Sequence, residues 1–305
     1  MTDALRLWVI TDGRLGHLNQ LRGLVARLEA KRRCQIYWLN IAKTPFKKMG
    51  RRGLLSQFAA EQPPHWVIAA GSRCHIPLLW TSWFSGARSL VLMKPSLPLS
   101  WFDAAMIPAH DAPPARPAVL VTQGVLNSMV PTCSGREKDL GLVLLGGINK
   151  HFDWDSAAVV EQVQAIVTKQ PDIHWRIGDS PRTPPELLDT LRAMPCDNIS
   201  VIPYADCEPG WLPGQLAEVG QVWVSRDSVS MVYESITSGA PTGLLQLRQR
   251  RDSRVTRSMQ QVINAGLATA FEHGDLSQPL PPSTQPLWEA DRAADWLLAR
   301  MESGS

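Results

Sequence analysis

No run in these 305 residues approaches the ~20 consecutive apolar positions that a membrane-spanning helix requires. Cysteine is sparse and scattered: Cys34, Cys74, Cys133, Cys196 and Cys207 form no C-x-x-C pair and leave an odd count, so neither a disulfide framework nor a zinc site is expected and a reducing compartment is the natural one. The opening apolar stretch, Leu5 to Ile10, is too short for the core of a secretory signal. No G-x-G-x-x-G stands at a strand-to-helix junction, which disfavours a nicotinamide or flavin enzyme, and no G-x-x-x-x-G-K-[ST] occurs, which disfavours a P-loop ATPase. Charge of one sign is also lacking. Thirty-one Lys and Arg against 28 Asp and Glu give a net +3, enough to suit a small anionic ligand but no reason to expect nucleic acid.

What is abundant is a globular mixture, 44% hydrophobic and 19% charged, with twelve Trp against three Tyr. Trp66, Trp175 and Trp223 lie in or beside apolar runs and read as core rather than as stacking platforms. Short apolar runs alternate with helix-length amphipathic stretches from end to end, the pattern of a parallel sheet crossed over by helices, so the fold class is α/β. The first series runs from Leu7 to Thr122. A Pro-rich break at Pro108 to Pro117 and the loop at Pro131 to Gly135 then set a boundary, and a second series restarts at Leu140. Two doubly wound domains, 1–135 and 136–305, are expected to face each other across a cleft, with ligands beyond the carboxyl ends of the strands.

Five strand ends carry candidate chemistry. Thr11-Asp12-Gly13-Arg14-Leu15-Gly16-His17 is a βα turn in which Gly13 and Gly16 would let a ligand come close, and His17 or Asp12 could take a proton from an acceptor hydroxyl. A plain tight turn with a surface histidine explains the same string. Gly146-Gly147 with Lys150 suits a loop that wraps a phosphate in backbone amides and adds a point charge. Ser180, Arg182 and Thr183 offer anion donors, and Tyr204 sits where a backbone edge could meet a base. Ser225, Asp227 or Ser228 would cap a helix whose N-terminus attracts an anion, with Ser230 beside it; Glu234, seven residues past Asp227, would lie on the same helical face and accept from a ribose. A well-capped helix with a surface Glu is the plainer alternative.

Taken together, Thr11-Asp12-Gly13-x-x-Gly16-His17-x-Asn19-Gln20, Gly146-Gly147-x-x-Lys150-x-Phe152-x-Trp154, Ser180-x-Arg182-Thr183-Pro184 and Asp227-Ser228-Val229-Ser230-Met231-Val232-x-Glu234 resemble, in order and over nearly the whole chain, the mitochondrial-fission (elongated mitochondria) type of glycosyltransferase. The resemblance implies the GT-B architecture, two Rossmann-like domains with a nucleotide sugar held mainly by the second. It implies an acceptor-side loop with Gly13, Gly16, Asn19 and Gln20, and a cell-envelope glycan or lipid-linked acceptor met in the cytoplasm or at the inner membrane surface. Plant members are linked to mitochondrial division, bacterial ones to envelope sugars. No cofactor is expected besides the donor sugar nucleotide, and no metal held by paired carboxylates of an Asp-x-Asp string. A nucleotide-sugar 2-epimerase and a non-catalytic scaffold share the fold and stand as the alternatives.

Overall fold

The computed structural model describes residues 4–42, 53, 56, 62–132 and 134–302, which leaves Cys133 of the boundary loop outside the described residues. The chain folds as two compact units, Met1–Ser128 with Trp288–Ser305, and Met129–Leu287.

The first unit is built on six parallel strands: β1 (Leu5–Thr11), β2 (Cys34–Asn40), β3 (Trp66–Ala70), β4 (Arg88–Leu92), β5 (Ala104–Pro108) and β6 (Val119–Thr122), in the spatial order β2-β1-β3-β4-β5-β6. Alternation along each strand divides the core. Leu5, Leu7 and Val9 point to one face, where helix α1 (Leu15–Lys31) supplies Leu21, Leu24 and Leu28. Trp8 and Ile10 point to the other, packing with Cys74 and with Leu78 of helix α2 (His75–Ser85).

The second unit repeats the plan with β7 (Glu137–Leu144), β9 (His174–Gly178), β10 (Ile199–Ile202), β11 (Val219–Ser225), β12 (Thr242–Leu245) and β14 (Thr269–Ala270), ordered β10-β9-β7-β11-β12-β14 and all parallel. Counted within the unit this is 3-2-1-4-5-6, the order of the dinucleotide-binding fold. A two-residue ribbon pairs β8 (Phe152–Asp153) with β13 (Arg248–Gln249). The helices are α3 (Ser156–Lys169), α4 (Pro185–Arg192), α5 (Trp211–Glu218), α6 (Val229–Ser238) and α7 (Arg254–Asn264). Trp66, Trp175 and Trp223 are core residues, each at most 2% exposed. Trp175 pairs in register with Gly141, and Trp223 with Gly243, so each indole lies where a neighbouring side chain would otherwise be.

The expected partition at 135/136 needs correction at both ends. The boundary falls at Ser128/Met129, and the last helix, α8 (Glu289–Glu302), returns to the first unit. Its Ala290, Ala293, Ala294 and Leu297 form a narrow apolar stripe at three- and four-residue spacing that joins the core under α1. Asp291 then accepts from Arg27 Nε at 2.8 Å and Lys31 Nζ at 3.0 Å, and the Arg27 guanidinium lies 4.2 Å from the Trp288 ring centre. No helix among the described residues is long and apolar enough to cross a membrane.

Candidate functional site

In an open parallel sheet, the loops leaving two neighbouring strands in opposite directions create a natural crevice at the carboxyl edge. In the second unit that point lies between β7 and β11, and the loops there carry Gly146-Gly147 and Ser225 to Ser228.

The Gly146-Gly147 loop is not an open cradle. The Gly146 amide donates to Ser225 Oγ at 2.7 Å, the Gly147 amide to Asp227 Oδ2 at 3.0 Å, and the Ile148 amide to the Arg182 carbonyl at 3.1 Å. Ser225 Oγ in turn donates a hydrogen bond to Asp227 Oδ1 at 2.7 Å, and Arg182 Nη1 meets Asp227 Oδ2 at 2.9 Å. Asp227, whose side chain is wholly buried, therefore stands where a ligand anion was expected. Burial pushes its carboxyl above the ordinary aspartate range, while Ser225, Arg182 and the Gly147 amide pull the other way. Ser180 and Thr183 are buried too, and both hydroxyls point at the Gly146 carbonyl rather than outward. These four expected anion donors, Gly146, Gly147, Ser180 and Thr183, thus brace the loop. Arg182 does so in part, keeping 41% of its side chain exposed.

What stays open is the start of α6. Ser228 occupies the N-cap position and makes no side-chain cap hydrogen bond, so the first-turn amides of Val229, Ser230 and Met231 face no capping oxygen. Asp227, expected as a cap, is turned inward instead. It also lies outside the helix, so the seven-residue spacing to Glu234 does not place the two on one helical face. Ser230, exposed, and Glu234, half-buried, do share one, four residues apart. Lys150 is exposed at the end of the preceding loop, which Asn149 shapes by accepting the His151 and Phe152 amides. Tyr204 is 50% exposed, and its amide is held by Asp179.

The expectation about paired carboxylates overlooked one string, Asp153-Trp154-Asp155. Both acids have structural work: Asp153 binds Arg250 at 2.9 Å across the β8–β13 ribbon, and Asp155 caps α3 through the Ala157 and Ala158 amides.

The first unit has its own reversal point, between β1 and β3. Helix α1 begins at Leu15, so His17 belongs to its first turn. His17 Nδ1 lies 2.9 Å from Oδ1 of the buried Asp12. An ionised carboxylate only accepts, so the ring donates from Nδ1, and the neutral form of the ring then presents Nε2 as its acceptor. Asp12 Oδ2 is buried without a hydrogen-bond partner. Gly71, at the end of β3, makes the seat: a Cβ there would stand 2.4 Å from His17 Nδ1. Gly13 adopts φ +76°, as a turn demands, whereas Gly16 meets nothing within 4 Å. Asn19 and Gln20 belong to the scaffold: Asn19 Oδ1 accepts from Ser128 Oγ at 2.6 Å, and buried Gln20 reaches the Gly16 carbonyl and Met93.

A family model described as "Mitochondrial fission ELM1" matches residues 15–301. An uncharacterised protein of Rickettsia prowazekii (strain Madrid E) is 22% identical over 352 residues, covering 95% of this chain and 97% of that one. Among solved structures, the UDP-GlcNAc 2-epimerase of Methanocaldococcus jannaschii superposes with a TM-score of 0.60 at 13% identity, covering 99% of this chain and 100% of that one. The calicheamicin glycosyltransferase CalG4 gives 0.52 at 11% identity, with 99% of each chain covered. At these identities the likeness is one of fold: two parallel six-stranded sheets of the GT-B kind.

Proposed function

The chain belongs to the mitochondrial fission ELM1 family, and from that premise we propose that it transfers a sugar from a nucleoside diphosphate sugar to a cell-envelope glycan or lipid-linked acceptor. The observation that carries this reading is the uncapped start of α6 at the reversal point of a 3-2-1-4-5-6 sheet, with Lys150 on the adjoining loop. As the glycosidic bond breaks, negative charge collects on the departing diphosphate. Fixed amides and the helix dipole stabilise that charge without reorganising, the dipole contributing about 0.3–2 kcal/mol. Lys150 adds a mobile positive charge, and the exposed part of Arg182 a second. Ser230 and Glu234 on one face of α6 provide a donor and an acceptor for the ribose hydroxyls, and the exposed Tyr204 edge meets the base.

At the acceptor, Asp12 holds the His17 ring so that Nε2 removes the hydroxyl proton; the oxygen bonds to the anomeric carbon, and the electron pair of the broken bond leaves with the diphosphate. This is chemistry with inversion and calls for no metal. Incubating the protein with UDP-, GDP- and ADP-linked sugars, with and without membrane extract as acceptor, tests the reading. Label moving to the acceptor supports it. A new sugar epimer formed without acceptor would assign the 2-epimerase activity instead, and no turnover of any donor would leave a scaffold.

A further inference from the structure

One face of α2 and the turn before β5 enclose a hollow of about 670 Å³ that the proposed chemistry does not use, a volume within the range of small-molecule sites. Ile76, Leu79, Trp80 and Trp83, at positions i, i+3, i+4 and i+7 of α2, line it together with Trp101 and Asp103. Three indoles and one carboxylate thus share a single lining. Trp83 is 79% exposed and Trp101 56%, so the folded core does not account for either.

Asp103 is the only charged residue of that lining, and no cation of the described residues answers it. Its Oδ2 accepts both the amide and the hydroxyl of Ser89 at 2.7 Å, which fixes the carboxyl group and leaves Oδ1 open. Arg88 follows the lining residue Ala87 in sequence but shares the parity of Leu90 and Leu92, which face α1. Its guanidinium accordingly lies 5.8 Å from the Trp66 ring centre, and Nη1 reaches the Arg300 carbonyl on α8 at 3.5 Å. The hollow is therefore negative as well as aromatic.

An indole face attracts a cation through its quadrupole, and the gain grows as the cation gives up less hydration to arrive there. A primary ammonium brings three N–H donors. Among the lining side chains it would find the open oxygen of Asp103, since Ser82 is buried with its hydroxyl donating to the Ala87 carbonyl at 2.6 Å. A fully methylated ammonium carries the same charge with no donor to satisfy, and its methyl groups suit Ile76, Leu79 and the indoles. The indole N–H groups of Trp83 and Trp101 have no acceptor among the described residues, so a hydroxyl beside the ammonium meets donors there.

We infer that this hollow binds a quaternary ammonium group, caged by Trp80, Trp83 and Trp101 and neutralised by Asp103. The inference does not depend on the transferase reading, since no residue of the hollow belongs to either strand-end site.

Choline is the probe, and dimethylbutanol, which puts carbon in place of its nitrogen, is the uncharged control. Titrated calorimetrically to about 10 mM against sodium chloride of equal ionic strength, choline binds saturably at one site with a Kd of about 1 mM or below. Dimethylbutanol binds at least about fivefold more weakly, because it keeps the methyl groups and loses the charge. Asp103→Asn keeps an oxygen for Ser89, and Trp101→Leu keeps an apolar wall without the indole; each weakens choline about fivefold or more. Trp101 is largely solvent-exposed, so circular dichroism of its variant stays unchanged. Absence of saturable choline binding by the wild type, equal affinity for dimethylbutanol, or choline affinity unchanged in both variants overturns the proposal.

Discussion

Oδ2 of Asp227 accepts the Gly147 amide at 3.0 Å and the Arg182 guanidinium at 2.9 Å, so one buried carboxylate ties together the loops after β7, β9 and β11. Removing Arg182 leaves a buried carboxylate with one partner fewer, whereas Arg182, 41% exposed, turns to water when Asp227 is lost. Arg182→Ala is expected to cost about 1–3 kcal/mol, because the Gly147 amide and the Ser225 hydroxyl still serve the acid. Asp227→Asn, which keeps an acceptor and a similar volume, costs less. Urea denaturation of the single and double variants checks this, and the double variant should fall short of the sum.

Gly71 and His17 make the matching prediction for the first unit. With φ at +92° and a hypothetical Cβ 2.4 Å from the His17 ring, Gly71→Ala displaces the imidazole. A loss of about 1–3 kcal/mol in stability is expected. Sugar transfer drops while nucleotide affinity, read by titration, stays at the wild-type value. His17→Gln should reproduce the kinetic loss with a smaller effect on stability.

His75 supplies a pH dependence. It is buried, bonds Ser96 Oγ through Nδ1 at 3.1 Å and packs edge-on to Phe102, and burial holds its pKa below the ordinary 6.5. On acidification through about 6.5 the unfolded chain takes up a proton that the folded one refuses, so stability is lost between that pH and the lower folded value. Melting temperatures across pH 7 to 5 should show a steeper fall for the wild type than for His75→Asn.

Cys74 is fully buried, and burial together with the nearby Asp12 charge pushes its thiol up to about 12. Iodoacetamide should leave Cys74 unmodified in the native protein and label it only after denaturation, as read by peptide mass spectrometry.

Much of this architecture was legible in the sequence, because strands buried on both faces read as short apolar runs and most helices carry a polar face. Helix α2 was not. Its eleven residues include no charge and are apolar on nearly every side, so the 3.6-residue contrast that reveals a helix is missing, and the same property makes its outer face a trough. Helix α8 was legible as a helix but not as part of the first unit, since its partner stripe on α1 lies some 260 residues away in sequence. At the site, the sequence marked the right strand ends but mistook their division of labour. Gly-Gly, Ser, Thr and Asp near an anion-binding helix serve equally well as ligand donors and as struts, and only the positions of Ser225 and Asp227 reveal that most of them are struts.

The central claim is that the open start of α6, with Lys150, seats a nucleoside diphosphate. Isothermal titration with UDP, GDP, CDP and ADP measures it directly. The account predicts saturable binding of at least one of the four, weakened about tenfold or more by Lys150→Ala and by Ser230→Pro, and unchanged by His17→Gln. Binding of none, or binding indifferent to both substitutions, would contradict it.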